Sequence, residues 1–123
     1  MHLGAFSISL PVQDLAKSKA FYEALGFETM GDYSDQGWII LKSGDTIIGL
    51  FKGMFEKPML TFNPGWDQSA KPLESFTDIR DVQAHLKAQG IALDSEVEDG
   101  STGPASVLIT DPDGNPILID QHI

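Results

Sequence analysis

The 123-residue sequence contains no cysteine, which removes disulfides, thiolate nucleophiles and cysteine-ligated zinc or iron–sulfur centres from the chemistry open to the unmodified chain. No apolar run approaches the ~20 residues of a membrane-spanning helix. The opening Met1-His2-Leu3-Gly4-Ala5-Phe6 has neither a basic cluster nor a long apolar stretch, so no membrane is expected as partner and the cytoplasm is the expected compartment. Basic residues are scarce. Eight Lys and Arg stand against eighteen Asp and Glu, a net charge of −10, which disfavours nucleic acid and anionic membrane surfaces as partners. Ser43-Gly-Asp45 and the stretch 99–103 lack the strand-to-helix setting and the lysine of a phosphate-binding loop, and no Gly-x-Ser-x-Gly elbow supports a hydrolase triad.

What the sequence does contain is an internal repeat. Phe6, Ile8 and Leu10 alternate with Ser7 and Ser9, the period-two pattern of a half-buried strand. Asp14 follows as a helix cap, Leu15, Phe21, Tyr22 and Leu25 form an apolar stripe, and Gly26 supplies the terminator. Strands are predicted over 27–31, 38–42 and 46–51, with a tight turn at 42–45. The second half repeats this order: a strand over 74–79, Asp81 as cap, Val82 and Leu86 on the buried side of a helix, and Gly90 as terminator. Strands over 91–97, 105–110 and 116–121 complete it, with a turn at 111–114. The expected organisation is one domain of two β-α-β-β-β modules, residues 5–51 and 74–121, joined by a linker over 52–73 in which 59–62 could add a strand.

Val12-Gln-Asp-Leu15 followed by Phe21-Tyr22 and Leu25-Gly-Phe27, the echo Ile79-Arg-Asp-Val82 through Gly90, and the terminal Asp111-Pro-Asp-Gly-Asn115 resemble the vicinal oxygen chelate superfamily, which includes glyoxalase I, bleomycin-resistance proteins and extradiol dioxygenases. The resemblance spans nearly the whole chain. It implies an α+β fold in which the two modules form a curved mixed sheet around a cleft. It also implies a small-molecule ligand and, in many members, a divalent metal held by one side chain from the first and one from the last strand of each module.

Superposing the two halves on their capping aspartates and turns puts those four positions at Ser7, Gly49, Glu74 and Leu118. Only Glu74 is a strong donor, since glycine and leucine side chains offer no lone pair and a neutral serine hydroxyl is a poor ligand. Slipping the register by one residue brings in no better donor. The expectation is therefore no cofactor, a divalent metal being possible but disfavoured, and a cleft that binds a small organic molecule. The alternative is a glyoxalase-like lyase or isomerase, or a dioxygenase-related enzyme, with an atypical metal site and Glu74 as catalytic base.

Candidate ligand-binding residues are Ser7 and Ser9 on the first strand, Leu118 and Asp120 on the last, and the aromatics Trp38, Phe51, Trp66 and Phe76, for which core packing is the competing role. Trp66 lies among loop formers and is expected over the cleft mouth or a dimer seam. Alternation puts Asp120 and His122 on one side of the last strand, where Asp120 could orient His122, but its place next to the chain end favours a frayed, solvated His122. Glu74, if it faces the concave sheet, needs water or a partner: either Arg80, should the local strand bend, or an amine or hydroxyl of the ligand. A homodimer is expected, because association would cover exposed sheet edges.

Overall fold

The computed structural model describes residues 1–123. The chain forms two compact units, Ser7–Met59 and the combination of Met1–Phe6 with Leu60–Ile123.

Over residues 5–52, most of them in the Ser7–Met59 unit, the order is as the sequence predicts. β1 (Ala5–Val12) leads to α1 (Leu15–Ala24), then β2 (Glu28–Tyr33), β3 (Trp38–Ser43) and β4 (Thr46–Lys52). β1 pairs in parallel with β4, and β4–β3 and β3–β2 are antiparallel, with a bulge in β2 between Thr29 and Gly31. The Asp14 side chain accepts a hydrogen bond from the Lys17 backbone N–H at 3.1 Å and starts α1. Its end is a Schellman turn. Phe27 N–H donates to Tyr22 C=O and Gly26 N–H to Glu23 C=O, with Gly26 at φ +100°. Leu15 packs with Ile39, Leu41, Ile48 and Leu50 in a core on one face of the sheet.

The other unit departs from the predicted repeat in three places. First, no strand forms over 74–79. The strand that runs parallel to β7 (Pro116–Gln121) is β5 (Met59–Asn63), within the stretch expected to be linker, with Leu60, Thr61 and Phe62 opposite Ile117, Leu118 and Ile119. β5 thus stands to β7 as β1 stands to β4. Second, α2 (Ile79–Ala88) is capped by Asp78, whose carboxylate accepts from Arg80 N–H at 2.9 Å; Asp81 lies within its first turn. Third, 91–97 is not a strand. Only Ser95 bridges to Leu108 of β6 (Ala105–Thr110), while the backbone of Val97 is served by a side chain: Val97 N–H donates to Gln83 Oε1 at 2.7 Å and Gln83 Nε2 donates to Val97 C=O at 2.9 Å. A buried amide on α2 here replaces a neighbouring strand.

β6 and β7 are antiparallel as expected. Ile79, Val82 and Leu86 of α2 pack against Val107, Ile109 and Ile119. Buried Gln121 ties β7 to the helix start, accepting from Ile79 N–H at 2.7 Å and donating to Asp78 at 3.1 Å. No helix is long and apolar enough to cross a membrane.

Candidate functional site

In each unit the helix covers one face of the sheet, and the candidate residues borne by strands lie on the other. In the Ser7–Met59 unit, Ile39, Leu41, Ile48 and Leu50 point toward α1. Alternation then assigns Trp38, Ile40, Gly49 and Phe51 to the opposite face. Register aligns them in rows: Tyr33 opposite Trp38, Trp38 opposite Phe51, Phe51 opposite Pro11, and below them Ile40, Gly49 and Ser9.

The aromatic row is stacked. Tyr33 and Trp38 lie 4.2 Å apart with planes 21° from parallel, Trp38 and Phe51 6.1 Å apart at 11°, and Phe55 adds a tilted contact to Phe51 at 5.4 Å. Trp38 and Phe51 are only partly buried and Tyr33 is 43% exposed, so the row presents ring surface to solvent. Gly49 makes this possible. A Cβ there would sit 2.6 Å from Phe51 Cε2, so the ring occupies the space that a side chain at position 49 would need.

In the second unit, Ile119 and Gln121 face α2, leaving Leu118 and Asp120 of β7 on the open face beside Thr61 and Asn63 of β5. Asp120 anchors a small polar assembly. Its carboxylate lies 3.2 Å from His122 Nε2, and its backbone carbonyl accepts from Asn63 Nδ2 at 2.9 Å. The hydrogen bond to Asp120 raises the pKa of His122 above its ordinary value, against the opposing effect of burial. The imidazole stacks on Trp66, whose loop is fastened by Trp66 N–H to Asn63 C=O and Leu73 N–H to Gly65 C=O. His122 is thus exposed, as expected of a residue next to the chain end, while its ring is paired with Asp120 and stacked on Trp66. Phe76 approaches the same loop at Gly65.

Glu74 belongs to neither group. It is exposed, with no hydrogen bond or ion pair, and Arg80 pairs instead with Asp78 at 3.1 Å. Its alignment with Ser7 rested on Asp81 as the helix cap. With Asp78 as the cap and β5 as the parallel partner of β7, the registered pairs are Ser9 with Gly49 and Thr61 with Leu118. Ser7 is half-buried one strand position pair away from Ser9, which is itself buried. Nowhere do three His, Asp or Glu side chains gather as metal ligands would. Two hydroxyls, a glycine and a leucine do not suit a divalent ion, so the residues present do not fit the metal that the fold implies. Tyr33, Phe55, Asn63 and Thr61 escape the sequence reading; strand register places Tyr33, Thr61 and Asn63, and the ring contact with Phe51 places Phe55.

Known proteins agree with this fold. A bleomycin resistance protein from Klebsiella pneumoniae is 25% identical over 114 residues, 93% of this chain and 89% of its own length. A superfamily member from Vibrio splendidus 12B01 superposes with a TM-score of 0.65 at 17% identity, covering 94% of this chain and 97% of the other. Methylmalonyl-CoA epimerase from Mycobacterium tuberculosis superposes with a TM-score of 0.63 at 16% identity, covering 97% and 88%. Residues 4–119 match the Glyoxalase/Bleomycin resistance protein/Dioxygenase superfamily, and the chain belongs to that family.

Proposed function

We propose that this protein binds a small organic molecule with a flat aromatic portion, stacked on the Tyr33–Trp38–Phe51 face, and that it does so without the divalent metal used by many members of its family. The stacked, part-exposed row carries the reading. Aromatic faces prefer offset stacking, worth about 0.5–1.5 kcal/mol per pair beyond burial, and an apolar ligand surface with few polar contacts suits sequestration better than turnover. The Klebsiella relative, a bleomycin resistance protein, supports a binding role. The donor set at the registered positions supports the absence of a metal step. The chain is proposed to act as a homodimer, β2 having only β3 as a partner within its sheet and thus offering an unpaired edge.

A thermal-shift screen of planar aromatic compounds, bleomycin included, tests the reading, because any ligand selective for the native state raises the melting temperature. Hits should lose about two- to twelvefold in affinity in Trp38→Ala, the range of one aromatic pair. A screen without hits defeats the binding role. A divalent ion retained in stoichiometric amount through dialysis, measured by elemental analysis, defeats the metal-free part. Sedimentation as a monomer at all concentrations removes the dimer.

A further inference from the structure

The helix side of the Ser7–Met59 unit carries a second feature, which meets the aromatic row only at Pro11. Phe21 on α1 and Leu25, the residue just after its end, are each 63% exposed. Phe21 and Tyr22, with Leu10 and Val12 at the end of β1, line a solvent-open trough of about 440 Å3. That lies within the ~300–1,000 Å3 typical of small-ligand sites.

The polar lining on the helix side is Lys17 and Ser18. Lys19, two residues on, is engaged by Asp32 at 3.1 Å, whereas no carboxylate lies within ion-pair distance of the Lys17 ammonium. In a chain with ten more acidic than basic residues, a free cation beside an apolar trough is complementary to an anion attached to an apolar body.

We infer that this trough binds a free amphiphile with one carboxylate and an unbranched apolar chain. The carboxylate meets Lys17 and the Ser18 hydroxyl, and the chain lies over Phe21, Tyr22, Leu10 and Val12. Lysine suits this role, since its flexible stem can itself cover apolar surface while the ammonium reaches the carboxylate.

The test uses the full chain and decanoate as probe, with octanoate and decanol as comparisons, below their aggregation concentrations. In amide-resolved NMR, decanoate should shift Val12, Lys17, Ser18 and Tyr22 saturably and leave the amides of Tyr33 and β3 unmoved, which distinguishes binding in this trough from stacking on the aromatic face. Octanoate should bind more weakly, by up to about fourfold per methylene removed. Lys17→Gln should weaken decanoate about tenfold and decanol less than twofold, and Phe21→Ser should weaken both. Both substitutions are at exposed helix positions and leave the Asp14 cap intact. Shifts centred elsewhere, equal affinity for decanol and decanoate, or indifference to Lys17→Gln would each overturn the assignment.

Discussion

The imidazole of His122 lies parallel to the indole of Trp66, with ring centroids 4.4 Å apart and planes 6° apart. Since Asp120 raises the His122 pKa above 6.5, the fold favours the charged ring. The resulting stabilisation is fully present below the unfolded value near 6.5 and is lost as pH rises through the higher folded value. Both side chains are substantially exposed, so the pair contributes only a few tenths of a kcal/mol. An NMR titration of the imidazole should show a midpoint above 6.5 that falls in Asp120→Asn. A wild-type midpoint at or below 6.5 would remove the pairing.

Gly4 has φ +79°, and a Cβ there would lie 2.0 Å from Asn63 O and 2.9 Å from Pro64 Cα. These obstacles are backbone and cannot rotate away. Gly4→Ala should therefore destabilise by about 2–3 kcal/mol, the combined effect of a left-handed alanine and a displaced segment. Denaturant midpoints check this, and a loss under about 0.5 kcal/mol would mean that residues 1–4 detach freely.

Gln83→Ala should cost about 2–4 kcal/mol, because it removes two hydrogen bonds and strands a buried N–H and C=O at Val97. Hydrogen exchange gives the more specific readout. The Val97 amide should lose protection while those of β4 keep theirs; unchanged protection would show that another group had taken over.

These positions also explain how far the sequence could be read. Helix α1 and strands β1 to β4 are encoded locally, through the alternation of Phe6 to Leu10, the Asp14 cap and the Gly26 terminator. The second half misleads because Asp78, three residues before Asp81, caps α2, so the offset from Asp81 that placed Glu74 does not hold. Nothing in the local pattern states that β5 pairs with β7, nor that a glutamine on α2 serves the backbone of Val97. Those are tertiary facts. The poverty of metal donors was visible at Gly49 and Leu118 and persists when Thr61 and Ser9 enter the register. The reason for Gly49 was not visible, since it depends on where the Phe51 ring turns.

Gly49→Ala provides the sharpest check of that arrangement. Its Cβ would lie 2.6 Å from Phe51 Cε2, 3.2 Å from Cζ and 3.3 Å from Ile40 Cδ1, so the Phe51 ring must swing away. That movement is opposed by contacts with Trp38 and Phe55. The expected cost is about 1–2 kcal/mol, typical of overpacking. Since the clash is with one ring, combining Gly49→Ala with Phe51→Leu should cost less than the sum of the two single changes. Additive denaturation energies would show that the ring does not lie over Gly49, and the ligand-stacking face would then lose its structural basis.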